Sequence, residues 1–189
     1  MEELSRLIEL LNSEDELERL RAAEELGDHT SSEAVLSLVS CLEKDESRFV
    51  QEACVASLCR IGTEEVAEEV AKLLRSSNPY VRNAASEILQ LLGDRAERVI
   101  ELLLRDPAPD VRALAVRVVG EGLFSSASAL LRSVVLNDPD VNVVASAAEY
   151  LGEIGGSRED QDALNAARAR FSDPFLEFAV ETAVRKMEE

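Results

Sequence analysis

Apolar positions along this chain recur with the period of a helix. Val66, Val70, Leu73 and Leu74 stand at i, i+4, i+7 and i+8, which places them in one stripe on a helical surface. Such stripes are interrupted at short, regular intervals by turn chemistry, so the pattern predicts pairs of short helices. The first helices of the pairs are expected over 2–12, 32–43, 64–75, 95–105, 125–136 and 157–171. The second helices are expected over 14–26, 46–61, 79–92, 108–121, 139–154 and 174–187. Asn78-Pro79, Asp106-Pro107, Asp138-Pro139 and Asp173-Pro174 each set an acceptor before a proline and predict an N-cap with proline at the first helical position. Ser13 with Glu16 reads as a capping box. Gly27, Gly62, Gly93, Gly120 and the run Gly152 to Gly156 are expected to stop the second helices.

The pairs are copies of one unit. Asn78-Pro79-Tyr80-Val81-Arg82, Pro109-Asp110-Val111-Arg112 and Asp138-Pro139-Asp140-Val141-Asn142-Val143 nearly superimpose. With the Val81 position as anchor, the series reads Glu18, Val50, Val81, Val111, Val143, Leu176, in steps of 32, 31, 30, 32 and 33 residues. That step is the length of two short helices and two turns. Alanines inside the second helices (Ala22, Ala23, Ala53, Ala84, Ala85, Ala115, Ala147, Ala148, Ala179) let neighbouring helices approach closely. One pair alone buries too little, so the core must run along the stack.

The D-P-x-V-R stretch at the start of the second helices resembles the short HEAT-like repeats, the group that also includes phycobilisome lyase subunits. The resemblance covers nearly the whole chain. It implies an all-α, right-handed α-α superhelix of about six helical hairpins, one solenoid over 1–189, with repeats at about 2–30, 31–62, 63–93, 94–123, 124–156 and 157–189. It also implies that Arg82 and Arg112 pair with acids of a neighbouring repeat. Departures stand at Glu18-Arg19, Val50-Gln51 and Val143-Val144, with Glu18 read as the polar substitution of a capping repeat. The repeat says little about activity, because it hosts scaffolds, transport receptors, lyase subunits and hydroxylases.

Composition narrows the function classes. Leu, Ala and Val carry the apolar content, and 38 acidic against 20 basic groups give a net charge of −18. Residues 1–94 carry 21 acidic and 9 basic groups, residues 95–189 carry 17 and 11, so the N-terminal half is the more acidic. That field opposes nucleic-acid binding and steers a basic partner. The start Met1-Glu2-Glu3-Leu4 has no signal-peptide pattern and no apolar run suits a membrane, so a soluble, cytoplasmic protein is expected. Cys41, Cys54 and Cys59 form no C-x-x-C pair and read as free, mostly buried thiols. No cofactor is expected. The helical-repeat hydroxylases hold two irons with several His-Glu pairs, whereas His29 is the single histidine of this chain and reads as a turn residue. Gly152-Glu153-Ile154-Gly155-Gly156 follows no strand and reads as a helix terminator, Ser157 to Asp162 is too short for a Ca²⁺ loop, and the paired acids Glu64-Glu65 and Glu68-Glu69 read as a solvated helix face.

The remaining candidate is a surface. The resemblance implies that the second helices line the concave face. If the anchors point into the core, the residues one before, two after and six after each anchor share an exposed stripe. It contains Phe49, Glu52 and Ala56; Tyr80, Asn83 and Glu87; Asp110, Ala113 and Arg117; Asn142, Ala145 and Glu149. Phe49 and Tyr80, ringed by Glu52, Asn83, Glu87 and Arg117, form either an exposed hot spot or a pair tucked into the hairpin junctions. Phe175 and Phe178 read as a C-terminal seal of the core, or as a self-association surface if exposed. The expected function is a non-enzymatic scaffold or adaptor whose acidic face engages a basic or helical segment of a partner protein. The alternative is a lyase or lyase subunit acting on bilin-protein adducts.

Overall fold

A computed structural model describes residues 2–188. Among them the chain forms twelve α-helices: α1 Glu2–Leu10, α2 Glu16–Leu26, α3 Ser32–Lys44, α4 Arg48–Ile61, α5 Glu64–Lys72, α6 Pro79–Leu92, α7 Glu97–Leu103, α8 Pro109–Glu121, α9 Ala127–Asn137, α10 Val141–Ile154, α11 Arg158–Arg170 and α12 Pro174–Glu188. Short 3-10 turns, Leu73–Arg75 and Gly93–Ala96, follow α5 and precede α7. The helices gather into two compact units, one ending at Ala96 and one beginning at Glu97. No described helix is long and apolar enough to cross a membrane.

In the N-terminal unit α1 pairs with α2, α3 with α4 and α5 with α6, and the hairpins stack so that α2, α4 and α6 form one layer. In the C-terminal unit the pairs are α7 with α8, α9 with α10 and α11 with α12, and α8, α10 and α12 form the corresponding layer. The anchors explain the stacking. Val50, Val81, Val111, Val143 and Leu176 are buried, as are the alanines beside them, while Glu18 at the first anchor position is exposed. Small residues in the second helices bring the layers together, and Leu26, Leu38, Leu58, Leu89, Leu131 and Leu151 fill the space between them. Each fully buried Leu contributes roughly 1.5–3 kcal/mol relative to exposure.

Polar residues repeat as regularly as apolar ones. The residue five before each of the first five anchors is Ser13, Asp45, Ser76, Asp106 or Asp138, and its side chain accepts from the backbone N–H two residues on. The N-cap stands two residues later, at Asp15, Ser47, Asn78 and Asp140, each with a side chain accepting from the first turn. Asn78 and Asp173 therefore cap as the sequence predicts. Asp106 and Asp138 do not: they close Asx turns two residues earlier, the helices begin at Pro109 and Val141, and Ala108 has no side chain able to cap. Ser13 likewise yields the cap of α2 to Asp15, and its hydroxyl bonds Glu18 instead of completing a box with Glu16. The capping box that does form joins Ser157 and Asp160 at the start of α11.

The arginine after the anchor ties these turns together. Arg19, Arg82 and Arg112 each donate Nη1 to the carbonyl six residues back, at Ser13, Ser76 and Asp106, over 3.0, 2.7 and 2.9 Å. Arg19 and Arg112 also hold the carboxylate of the next repeat with two bonds each, to Asp45 and Asp138. The pairing implied for Arg112 is thus present, and Gln51 takes the same place in its repeat by donating to the Leu42 carbonyl.

Two of the glycines expected as stops serve a different end. Gly62 is a true cap, left-handed at φ 59°, with its N–H on the Leu58 carbonyl. Gly120 and Gly152 lie inside α8 and α10, which run on to Glu121 and Ile154. Together with Gly27 they stand nine residues after an anchor, where the next second helix approaches. A Cβ on Gly27 would lie 2.7 Å from Ser57 Oγ, on Gly120 2.2 Å from the Tyr150 ring, and on Gly152 2.5 Å from the Ala183 backbone. Ser57, Tyr150 and Ala183 each stand seven residues after their own anchor, so one rule of close approach serves three repeat contacts.

Candidate protein-binding surface

In the N-terminal unit, burial of Val50 and Val81 turns the residue before each anchor about 100° around the helix and out of the core. Phe49 is accordingly 67% exposed on α4. Tyr80 on α6 is half-buried. The Arg48 guanidinium lies over its ring, 3.4 Å from the centroid, in a cation–π contact. The Tyr80 phenol is pushed above its ordinary value by burial first, with the charges of Glu52 and Glu87 adding to the shift and that of Arg48 opposing it. Those influences mark Arg48, Glu52 and Glu87 as the surroundings of the ring. Glu52, Asn83 and Glu87 are all exposed. Glu87 also neighbours Cys59, whose thiol is pushed up to about 11 by burial and then by that carboxylate.

Of the two alternatives for the aromatic pair, the exposed one holds for Phe49, while Tyr80 is stacked against Arg48. The same register places Leu17, one residue before Glu18 on α2, at 59% exposure. Leu17 is missing from the stripe drawn from sequence. Its signal was present, since Glu18 belongs to the anchor series and the residue before it follows by the same offset. Leu17, Phe49 and Tyr80 thus occupy one repeat position on three adjacent second helices, flanked by the exposed acids Glu24, Glu52 and Glu87.

In the C-terminal unit Asp110 on α8 and Glu149 on α10 are exposed. Arg117 is half-buried and lies close enough to Tyr150 to influence its phenol. The Tyr150 hydroxyl donates to Glu121 over 2.7 Å. The expected stripe is broken at Ala145, which is fully buried because α12 packs tightly on α10. Ala113 is half-buried, and Asp110 and Asn142 put polar groups on α8 and α10 at the position that holds Leu17, Phe49 and Tyr80 in the N-terminal unit. Phe175 and Phe178 do not seal the core: they are 56% and 66% exposed, and Leu176, Ala179, Val180 and Ala183 fill the interior of α12 instead.

Comparison with known proteins bears on the fold. No curated protein matches the chain in sequence. A structure of microtubule plus-end tracking by XMAP215, CLIP-170 and EB1 contains a chain similar over 96% of this one and 89% of its own length, at 20% identity and a TM-score of 0.58. Human deoxyhypusine hydroxylase in complex with glycerol is similar over 98% of this chain and 84% of its own, at 17% identity and a TM-score of 0.52. The complex of CpcE and CpcF of phycocyanin lyase from Nostoc sp. PCC7120 is similar over 97% and 94%, at 19% identity and a TM-score of 0.40. At these identities the likeness is one of fold, and no activity passes with it. The profile for HEAT repeats matches residues 4–95 and 96–185, which together span nearly the whole sequence. An all-α chain of six helical hairpins with this repeated anchor, arginine and turn chemistry belongs to the HEAT-repeat family.

Proposed function

We propose that this chain is a non-catalytic scaffold that holds a partner protein on the α2, α4 and α6 layer of its N-terminal unit. Leu17, Phe49 and Tyr80 are the apolar anchors in this reading. Glu24, Glu52 and Glu87 surround them and favour a partner segment carrying Lys or Arg beside its apolar residues. Asn83 supplies a polar contact at the rim. Asp110, Arg117 and Glu149 are the corresponding polar contact positions of the C-terminal unit.

The observation that carries the reading is the 67% exposure of Phe49 on α4, beside the buried anchor Val50. A water-exposed ring gains on burial at an interface, and aromatic residues dominate the energy of such contacts. The net charge of −18 adds long-range attraction for a basic segment, weakened by salt. The non-catalytic reading is supported by the lack of any nucleophile–base constellation in the sequence motifs.

The test is affinity capture from host lysate at low and moderate salt, with the native protein and the double variant Phe49→Ser plus Tyr80→Ser. The variant is first shown by circular dichroism to keep its helicity. A protein retained by the native form, lost by the variant and weakened by salt is the expected result. Equal retention by both forms places the binding site elsewhere and overturns the assignment.

A further inference from the structure

The outward side of α12 is built differently from that of α10, the second helix before it. On α10, Ala145, Ala148 and Gly152 stand two, five and nine residues after the anchor Val143, and all three are buried where α12 packs on them. The same positions on α12, counted from Leu176, hold Phe178, Glu181 and Arg185, all exposed. Phe175, one residue before the anchor, lies beside them on the helical surface. Phe175 and Phe178 are 56% and 66% exposed. Two large side chains and a carboxylate stand where close packing of another such hairpin needs small residues, so this face does not repeat the contact that α10 makes.

The charges of α12 are only partly matched within the chain. Glu177 is held by Arg168 at 3.0 Å, and Lys186 holds Glu153 at 3.0 Å. Glu181 reaches Arg168 only at 3.6 Å, and its side chain is 58% exposed. Among the described residues no ion pair or hydrogen bond occupies Arg185. One weakly held acid and one open base therefore share a stripe with two exposed rings.

We propose that two copies of this chain associate through that stripe, their α12 helices packed antiparallel about a two-fold axis between Glu181 and Thr182. In this register Phe178 of one copy and Arg185 of the other are equally far from the axis and face each other. At a rise of 1.5 Å per residue, Glu181 and Arg185 of the second copy are offset by about 4.5 Å along the helices, within reach of both side chains. The guanidinium gains a ring face and a carboxylate, and the rings leave water. The contact is isologous, so each of these interactions forms twice. A parallel arrangement would set Glu181 against Glu181 and Arg185 against Arg185, so charge selects the antiparallel one. Over Pro174–Glu188 the helix carries three acids and two bases, in a chain whose net charge is −18, so a contact there brings little like charge together. It involves none of the residues assigned above to partner binding, and either assignment can fail without the other.

The test is sedimentation equilibrium of the full chain over a range of concentrations at moderate salt. A monomer–dimer equilibrium is the expected result. A monomer up to the limit of solubility overturns the proposal, as does an open-ended series of larger species, which a single two-fold contact does not build. Phe178→Ser removes one ring from each side, and Arg185→Glu sets like charges across the axis; each should raise the dissociation constant at least about tenfold with helicity unchanged. Adding Glu181→Arg to Arg185→Glu restores opposite charges with their signs exchanged and should recover most of that loss. A double variant that dimerises no better than Arg185→Glu alone overturns the antiparallel register. Leu102→Ser replaces a leucine 65% exposed on α7, outside the stripe, and should leave the dimer unchanged. Equal weakening by Leu102→Ser and Phe178→Ser overturns the assignment to α12.

Discussion

Replacing Asp138 by Ala tests whether the arginine tie between repeats carries stability. The Arg112 and Asp138 side chains are 9% and 3% exposed, and their two bonds measure 2.7 and 2.9 Å. Asp138 Oδ1 also accepts from the Asp140 N–H at 2.8 Å. Asp138→Ala leaves the guanidinium buried with the Asp106 and Pro107 carbonyls as its remaining bonded partners and opens the turn before α10. Removing one partner of a buried pair costs about 3–5 kcal/mol, mostly through the stranded charge. The comparison is Asp28→Ala, which breaks the Arg60–Asp28 pair at 3.0 Å with side chains 49% and 73% exposed. An exposed pair contributes at most about 1 kcal/mol. In urea unfolding followed by circular dichroism, a slope of about 2 kcal/mol per M converts a loss of about 4 kcal/mol into a midpoint lower by about 2 M. Asp28→Ala should move the midpoint by less than about 0.5 M on the same slope. Arg112→Met added to Asp138→Ala should recover much of the loss, because it removes the stranded charge. A midpoint for Asp138→Ala within about 0.5 M of that for Asp28→Ala refutes the reasoning.

Two further outcomes follow from other parts of the chain. Gly152→Val forces side-chain atoms into the Ala183 backbone, which a Cβ would already meet at 2.5 Å; thermal melting should show a loss of at least about 2 kcal/mol, and an unchanged melting temperature would show that α10 and α12 separate freely. Burial alone raises Asp160, but bonds from the Ser157 hydroxyl, the Gly156 and Ser157 N–H groups and the Ser128 hydroxyl outweigh it, so its carboxyl is held below the ordinary range. A depressed carboxylate contributes stability that is present above the unfolded value near about 4 and is lost as pH falls through the folded one. Asp160→Asn should therefore be less stable than the native protein at pH 7, and the two stabilities should converge in acid; parallel curves down to low pH would count against this account.

Much of the fold could be read from the sequence because one spacing recurs. The anchor series from Val50 to Leu176 located α4, α6, α8, α10 and α12 to within a few residues, since burying those positions fixes which side of each helix faces inward. Capping was harder. Asp106-Pro107 and Asp138-Pro139 look like Asn78-Pro79 as dipeptides, yet their carboxylates close turns two residues early, and Asp138 is claimed by an arginine 26 residues away. Gly120 and Gly152 were similarly ambiguous: a glycine near a helix end serves either to stop the helix or to admit a neighbour, and only the packing of Tyr150 and Ala183 decides. The candidate surface was legible where the offset from the anchor held, at Phe49, Glu52 and Glu87. It failed at Ala145, where the approach of α12 buries a position that is exposed on α4 and α6, and local periodicity contains no information about that distance.

The glycine rule has a bearing on how a chain of this kind can grow. The first, fourth and fifth hairpins each carry a notch cut for one particular successor: Gly27 receives a hydroxyl, Gly120 a phenol ring and Gly152 a methyl group. Copying the fourth hairpin and inserting it behind itself would set Gly120 against Val118, a side chain that fills the notch only in part. Moving the fifth hairpin behind the first would press Tyr150 onto Gly27, where a serine now fits. The hairpins therefore look alike as folds but are not interchangeable as parts. At these glycines their order is written into contacts one residue wide, and lengthening the array by duplicating a notched hairpin calls for a compensating change at the new joint.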